Sequence, residues 1–246
     1  MLELQNISFG VETDKGARDI IRDVSMQFED NKFTVITGPN GGGKSTLARL
    51  IAGIEKPDHG KIFFDGEDIT DLSITERAAK GISYALQQPV KFKGIRVFDL
   101  LRIASGKFIS IDEACELLSE VGLCAKDYVN REVNNSLSGG ELKRVEIATV
   151  LARKTSLSVF DEPEAGIDLW SFQNLIQVFE RMQKKNHGAI IIISHQERIL
   201  NIADNIIVIA DGKVEKQGPR DVIFPELIGT DSAVNVCSML SKEQVQ

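Results

Sequence analysis

Residues 38–46 read GPNGGGKST and directly follow the apolar run FTVIT at residues 33–37. The stretch fits the phosphate-binding pattern G-x-x-x-x-G-K-[ST] and lies between a predicted strand and a predicted helix. Glycines reach positive φ angles and leave room for backbone N–H groups to face a polyphosphate, which larger side chains would block. The following helix would direct the positive end of its dipole at the same group. The stretch therefore predicts a nucleotide-binding loop.

Two side chains of this loop have predicted roles. Lys44 would bridge the β- and γ-phosphates of the nucleotide, and the Ser45 hydroxyl would be a ligand of Mg²⁺. A glycine-rich turn that matches by chance is the alternative, and the flanking strand and helix make it the weaker one. The residues predicted to bind the nucleotide here are Gly38, Pro39, Asn40, Gly41, Gly42, Gly43, Lys44, Ser45 and Thr46.

Segments of strand length alternate with segments of helix length along the chain. LELQNISF, DVSMQF, FTVIT, LSVF and AIIIIS are predicted strands, and KSTLARLIAGI and DLWSFQNLIQVFERMQKK are predicted helices. Asp-Gly pairs in KIFFDGEDI and NIIVIADGKVEKQG predict hairpins. Between about Val97 and Val121 the pattern is helical, and Ser110 and Glu113 have the spacing of a capping box. Buried strands alternating with helices predict a parallel sheet covered on both sides.

Composition narrows the class of protein. The chain of 246 residues has a formal net charge of −7, which argues against nucleic-acid binding through a basic face. Cys115, Cys124 and Cys237 are odd in number and lack CxxC spacing, so neither a disulfide framework nor a cysteine-held metal is expected. The first residues show no signal-peptide pattern, and the stretch GAIIIIS is too short to span a bilayer. We expect a soluble cytoplasmic protein that binds no nucleic acid.

Two carboxylates end the predicted strand in LSVFDEP. Asp161, at the end of a strand near the phosphate loop, would hold Mg²⁺, and the adjacent Glu162 would orient or deprotonate the attacking water. A surface acidic turn is the alternative, and this motif alone does not decide between them.

The segment LSGGELKRVEIATVLAR, starting at Leu137, predicts a second phosphate-binding surface. Ser138 and Glu141 have the spacing of a capping box, so a well-capped helix is the simpler interpretation. Gly139 and Gly140 weaken a first helical turn, however, and a purely structural cap would not need them. Glycines at a positive helix end expose backbone amides to an anion. We therefore predict that Ser138, Gly139 and Gly140 contact a nucleotide phosphate.

GPNGGGKS, SLSGGELKR and LSVFDEP, in this order, resemble the motifs of the ATP-binding cassette (ABC) ATPases, and the likeness extends to about residue 218. The resemblance implies an α/β P-loop NTPase fold of ABC type, with a mixed, mostly parallel sheet, an antiparallel β subdomain and a helical subdomain. It implies one domain over residues 1–246, in which residues 1–88 and 145–218 form the nucleotide-binding core with the β subdomain. Residues 89–144 would be the helical subdomain, and residues 219–246 a C-terminal extension with a short helix.

The same resemblance implies how ATP is bound. Two copies would pack head to tail in the presence of ATP, each nucleotide lying between one copy's phosphate loop and the other copy's LSGGE signature. The activity would be hydrolysis of ATP to ADP and phosphate, with ATP and Mg²⁺ as cofactors.

Single positions carry over from the family to this chain. Gln87 matches the lid-loop glutamine that senses the γ-phosphate and is also a Mg²⁺ ligand, with Gln88 as the competing assignment. His195 matches the switch histidine that hydrogen-bonds the γ-phosphate, and Asp168 lies in the loop that contacts the partner copy. The family's adenine-stacking aromatic residue is missing near Val11, where Phe9 is the nearest substitute.

Two short stretches resemble one branch of the family. GISYALQQPVKFKGI and SHQERIL are similar to the corresponding stretches of the SufC branch, the soluble ATPase of iron–sulfur cluster assembly. The likeness implies a SufB- or SufD-like scaffold protein as the partner, bound on the helical side near the lid loop. The alternative is the cytoplasmic ATPase subunit of a membrane transporter, which would bind a permease at the same face.

Overall fold

The computed structural model describes residues 1–13, 16–185 and 188–229. The strands are β1 Leu2–Thr13, β2 Gly16–Phe28, β3 Phe33–Thr37, β4 His59–Phe64, β5 Glu67–Asp68, β6 Ile82–Ala85, β7 Leu157–Asp161, β8 Ala189–Ile193, β9 Asn205–Ala210 and β10 Lys213–Pro219. The helices are α1 Lys44–Ala52, α2 Ile74–Ala79, α3 Val97–Ser105, α4 Ile111–Glu120, α5 Ala125–Tyr128, α6 Gly139–Arg153, α7 Leu169–Lys185 and α8 Glu197–Asn201. Residues 220–229 are also helical.

A six-stranded sheet in the order β10-β9-β3-β8-β7-β6 forms the centre of the fold. Strands β3, β6, β7, β8 and β9 run parallel, and β10 pairs antiparallel with β9. Because these parallel strands share one direction, the residues after β3, β6, β7 and β8 meet at one edge of the sheet. The predicted mixed, mostly parallel sheet is confirmed.

Both faces of this sheet are buried. Along β8, Ile190 and Ile192 join one hydrophobic cluster, whereas Ile191 and Ile193 join the other. The alternation follows from the two-residue period of a strand, and it explains why AIIIIS contains no polar residue before Ser194. The first cluster packs against helices α3 to α7, and the second packs against α1 and the N-terminal sheet.

The N-terminal sheet is antiparallel, in the order β2-β1-β4-β5. Both predicted Asp-Gly hairpins are confirmed. Asp65 and Gly66 have φ angles of 51° and 81° between β4 and β5, and Asp211 and Gly212 have φ angles of 49° and 74° between β9 and β10. Positive φ at both central residues is the type I′ pattern that matches strand twist.

The middle of the chain is helical, as predicted. Ser110 and Ser138 cap α4 and α6, and in each case the glutamate three residues later completes the capping box. The helices between residues 97 and 128 contribute Leu101 and Leu118 to the first hydrophobic cluster, and Ala125 packs against it. The boundary expected between residues 144 and 145 lies inside α6, so this helix belongs to both parts of the fold.

The sequence patterns did not predict β6, α2, α5 or α8. Strand β6 has four residues and α5 and α8 have four and five, too short for a periodic pattern to emerge. Helix α2 did carry a signal, because Ser73 and Glu76 form a third capping box. In the C-terminal extension the expected helix is present over residues 220–229, and residues 230–246, including Cys237, lie outside the described residues.

Candidate nucleotide-binding and hydrolysis site

The phosphate loop lies against the β9–β10 hairpin. Gly38 has a φ of 132°, and a Cβ there would be 2.1 Å from the Ile209 carbonyl oxygen. Gly42 accepts a hydrogen bond from the Gly212 N–H at 3.0 Å and donates to the Pro39 oxygen at 3.2 Å. Gly41, with φ of 77°, faces open space, since a Cβ there would contact nothing within 4 Å. The glycines thus allow close backbone packing on one side and leave the other side accessible.

Lys44 begins α1 and lies under the loop. Its side chain is 5% exposed, and Nζ donates to the Gly38 and Pro39 carbonyl oxygens, each at 2.9 Å. Burial lowers the pKa of Lys44, while the carboxylates of Glu162 and Asp161 oppose that shift. The Lys44 ammonium is thus held at the loop by two neutral carbonyl oxygens. A phosphate oxygen is negatively charged and is a stronger acceptor for this ammonium than either carbonyl oxygen.

Asp161 ends β7 directly beside Ser45. The Ser45 hydroxyl donates to Asp161 Oδ1 at 3.0 Å, and the Tyr84 hydroxyl donates to Oδ2 at 3.0 Å. The Asp161 residue is 1% exposed, and burial raises its pKa although both hydroxyl donors lower it. Burial also raises the pKa of Tyr84, with the Asp161 charge adding to the effect. Tyr84 thus stays a neutral donor and fixes the orientation of the carboxylate.

Glu162 has a backbone conformation that is rare outside glycine. Its φ is 45°, and its N–H donates to the Ile193 carbonyl oxygen at 3.0 Å, which fixes the turn after β7. The Gln87 amide donates to Glu162 Oε2 at 2.6 Å, and His195 Nε2 lies 4.0 Å from Oε1. Residues held in the left-handed region concentrate at functional sites, where neighbouring contacts maintain the strain.

His195 follows β8 at the same edge of the sheet. Burial and the positive charge of Lys44 lower its pKa, and the negative charge of Glu162 opposes them. At neutral pH the imidazole is therefore uncharged, with one N–H to donate and one nitrogen to accept.

The LSGGE signature lies at the start of α6, where Ser138 and Gly139 are exposed. Ser138 and Glu141 form the capping box, and the Tyr128 hydroxyl donates to Glu141. Burial raises the pKa of Glu141, but hydrogen bonds from Tyr128 and Ser138 outweigh it and hold this pKa below the usual value. A Cβ at Gly139 would contact nothing within 4 Å, whereas one at Gly140 would lie 3.7 Å from the Gly166 oxygen. The helix start is therefore accessible and adjoins the turn before Asp168.

The structure places the predicted residues in two groups. The first group converges at one edge of the central sheet and consists of Lys44, Ser45, Gln87, Asp161, Glu162 and His195. Pro39 and Asn40 are exposed at the tip of the phosphate loop, and Thr46 is half-buried in α1. Ser138, Gly139 and Gly140 form the second group, with Asp168, whose carboxylate accepts from the Ser171 N–H at 3.0 Å near the start of α7.

Sequence patterns missed Tyr84, Lys143 and Glu146. Tyr84 lies three residues before Gln87 in a strand too short to predict, and nothing in the sequence pairs it with Asp161. Lys143 and Glu146 follow the signature and are three residues apart, so they lie on one face of α6. Their positions among the apolar residues of this helix could have indicated from the sequence that both side chains are largely buried. Neither residue near the expected adenine-stacking position has a clear role in binding the adenine ring. Val11 is 38% exposed, and Phe9 packs in part against the second hydrophobic cluster.

The part of the chain that the structure describes contains neither a helix that could cross a membrane nor a cluster of His, Cys, Asp or Glu side chains that could hold a metal. Within residues 1–13, 16–185 and 188–229, no helix is both long and apolar enough to cross a bilayer. In the same part of the chain, no three His, Cys, Asp or Glu side chains cluster as a metal-binding group.

The chain has a strand followed by a glycine-rich phosphate loop and a helix, and a carboxylate pair at the end of β7, a parallel strand of the same sheet separated from β3 by β8. These features define an ATP-hydrolysing P-loop enzyme. The sequence profile of the ABC transporter family matches residues 21–165, and the chain belongs to that family. An uncharacterised ABC transporter ATP-binding protein of Methanocaldococcus jannaschii is 39% identical over 85% of this chain and 86% of the relative.

Two further proteins show the same similarity. The lipopolysaccharide export system ATP-binding protein LptB of Acidithiobacillus ferridurans is 34% identical over 86% of this chain and 89% of its own length. Among solved structures, cbiO1 of Clostridium perfringens, described as part of the ABC transporter complex cbiONQ, superposes with a TM-score of 0.74. It is 28% identical and covers 92% of this chain and 90% of its own.

Proposed function

We propose that this chain is the ATPase subunit of a membrane transporter and that it acts as two copies packed head to tail. The observation that carries the proposal is the division of its phosphate-binding groups. The phosphate loop, the Asp161–Glu162 pair and His195 converge at one site, whereas the accessible helix start at Gly139 belongs to another group of residues. A second copy, rotated to bring its signature over the first copy's loop, completes each site.

Hydrolysis at this site proceeds through residues already in position. Glu162 accepts a proton from a water molecule while the water oxygen attacks the γ-phosphorus. The bond between that phosphorus and the β–γ bridging oxygen breaks. ADP and phosphate are the products. Gln87 orients the Glu162 carboxylate, and neutral His195 donates its N–H to a γ-phosphate oxygen. Lys44 offsets the charge that develops on the phosphates.

The side chains present fit a Mg²⁺ ion. The Ser45 hydroxyl and the Asp161 carboxylate lie 3.0 Å apart. Together with the Gln87 amide oxygen, they would offer the ion oxygen donors only. Such hard ligands, few in number, suit Mg²⁺, which keeps several waters and binds through substrate phosphates. When bound, the ion would neutralise phosphate charge. A further sign of fit is that Asp161 is buried as an acceptor between two hydroxyl donors.

The relatives favour a transporter over cluster assembly. The two relatives and the solved structure described above carry transporter names, and they match most of their own length. GISYALQQPVKFKGI and SHQERIL resemble the SufC branch, and these two short stretches are the support for a SufB- or SufD-like partner. We therefore place the transporter first, with the chain in the cytoplasm and a permease bound on the helical segment 89–144 near the lid loop.

Affinity purification from native cells, divided into soluble and membrane fractions, tests the proposed partner. Recovery from the membrane fraction together with a multi-helix permease, and ATP hydrolysis by that complex, is the expected result. A near-stoichiometric soluble complex with a scaffold protein would instead overturn the transporter assignment and leave the ATP site unaffected.

A Lys44→Ala variant purified in parallel tests the site. It should lose most of its affinity for ATP, because the buried ammonium no longer faces the phosphates. Unchanged ATP affinity in this variant would count against the phosphate-loop assignment.

A further inference from the structure

A buried ion pair joins α6 to the lid loop, defined here as residues 86–89. Lys143 is 1% exposed, and Glu146, one helical turn later, is 16% exposed at its side chain. Lys143 Nζ lies 3.1 Å from Glu146 Oε2. Lys143 lies in the stretch SLSGGELKR, but neither side chain is among the residues predicted to contact the nucleotide or Mg²⁺.

The pair satisfies both backbone polar groups of one lid-loop residue. The Leu86 N–H donates to Glu146 Oε1 at 2.9 Å, and the Leu86 carbonyl oxygen accepts from Lys143 Nζ. The same ammonium lies 3.5 Å from the Gln87 carbonyl oxygen. The backbone of two adjacent lid-loop residues, Leu86 and Gln87, is therefore held to the signature helix by charged side chains.

These contacts complete a continuous polar connection through the molecule. It runs from Glu162 to the Gln87 side chain at 2.6 Å, and from the Leu86 and Gln87 backbone to Lys143 and Glu146. Those two residues lie on the helix that begins at Gly139 in the signature. The group that activates water and the group that would bind the opposite nucleotide are thus linked through one helix.

Simple packing does not explain the pair. Burying two charges costs hydration free energy, and apolar residues of similar volume often replace such pairs without loss. Apolar residues here would leave the Leu86 N–H and carbonyl oxygen without these partners. Desolvation raises the pKa of Glu146, and the Lys143 ammonium opposes it. The polar connection to the lid loop is what distinguishes this pair from a hydrophobic contact.

We propose that Lys143 and Glu146 are positioning residues that fix the lid loop to α6, so that Gln87 holds Glu162 only when the signature helix is in place. The proposal rests on the head-to-tail function above, because the signature then serves the partner copy's ATP. Each copy's hydrolytic group is thereby coupled to the position of its own signature helix.

Two charge-free double variants test this coupling without leaving an unpaired charge. Lys143→Met with Glu146→Leu removes every polar contact to Leu86, whereas Lys143→Met with Glu146→Gln retains an acceptor for its N–H. For the first, kcat should fall about 10- to 100-fold, the range usual for outer-shell partners, with ATP affinity within about twofold of the parent. For the second, kcat should lie between that of the first variant and that of the parent.

The matched control is Asp99→Asn, which removes an exposed i,i+3 ion pair with Arg96 in the same helical segment. Its kcat and affinity should equal those of the parent. The unfolding midpoint of every variant is measured alongside the kinetics.

Parent-like kcat in the Lys143→Met/Glu146→Leu variant would overturn the proposal, as would a loss confined to ATP affinity. Failure of both double variants to fold would assign the pair a purely structural role and also overturn it. A parent chain that hydrolyses no ATP would instead refute the proposed function, so the two failures are distinguishable.

Discussion

The Glu162 carboxylate meets Gln87 at 2.6 Å and lies 4.0 Å from His195, on a residue with a φ of 45°. We propose that Glu162 acts as the general base, and Glu162→Gln preserves the shape of its side chain. The variant should bind ATP normally and hydrolyse it about 10²- to 10⁴-fold more slowly. Single-turnover hydrolysis and nucleotide-binding titrations check both parts. Near-normal turnover would remove Glu162 from this role.

Asp161 is the residue at which function and stability conflict. Because burial raises its pKa, the folded chain binds this proton more tightly than the unfolded chain, so the ionised carboxylate costs stability above the unfolded pKa. Asp161→Asn should therefore raise the unfolding midpoint of the nucleotide-free protein by about 2–4 °C at neutral pH. The gain should shrink as pH falls through the raised pKa, since the native carboxyl then becomes neutral.

Thermal unfolding across a pH series, without nucleotide, measures this effect. A midpoint lower than that of the parent at every pH would show that the charge of Asp161 stabilises the empty site.

At the level of secondary-structure elements, Arg77 on α2 holds the end of α1, the helix that carries Lys44. Its guanidinium donates to the Leu50 and Ile51 carbonyl oxygens at 2.7 and 2.9 Å, and to Thr70 and Leu72 at 2.9 and 3.1 Å. The last carbonyl groups of a helix need partners, and a cation there also complements the dipole. Arg77 therefore fixes the far end of the helix that begins at the phosphate loop.

Arg77→Met should destabilise the chain by about 2–4 kcal/mol, since buried carbonyl oxygens lose their donor. The midpoint of thermal unfolding should fall by about 5–10 °C. Arg96→Met is the control, because the Arg96 side chain is 51% exposed and forms an i,i+3 ion pair with Asp99, so its effect should stay within about 0.5 kcal/mol. Equal effects in the two variants would contradict the role given to Arg77.

Elements with a local signal could be predicted from sequence, and those defined by distant contacts could not. FTVIT is β3 residue for residue, and the Asp-Gly pairs form the expected turns, because strand burial and positive φ depend on the residues themselves. Strand β6 is visible only through its pairing with β7. In the site, the motif residues were predictable, whereas Tyr84 and Lys143 acquire their roles from partners about 60–80 positions away in sequence.

For the whole molecule, the proposed function requires two copies, in which the phosphate loop of one and the signature of the other bind the same nucleotide. Gly139 offers a way to disable only one of these two binding surfaces. Its surroundings are open, and an acidic residue in the first turn suits the helix dipole, so Gly139→Glu should fold normally and repel the partner's γ-phosphate. Lys44→Ala disables the other surface. Each variant alone should be nearly inactive as an ATPase.

The most direct test is the ATPase activity of an equimolar mixture of Lys44→Ala and Gly139→Glu. A mixed pair contains one complete site, formed by the intact phosphate loop of the Gly139→Glu copy and the intact signature of the Lys44→Ala copy. The account predicts that mixing restores a substantial part of the parent activity, rising with protein concentration. Full activity of Gly139→Glu alone, or a mixture as inactive as its components while the parent is active, would contradict it.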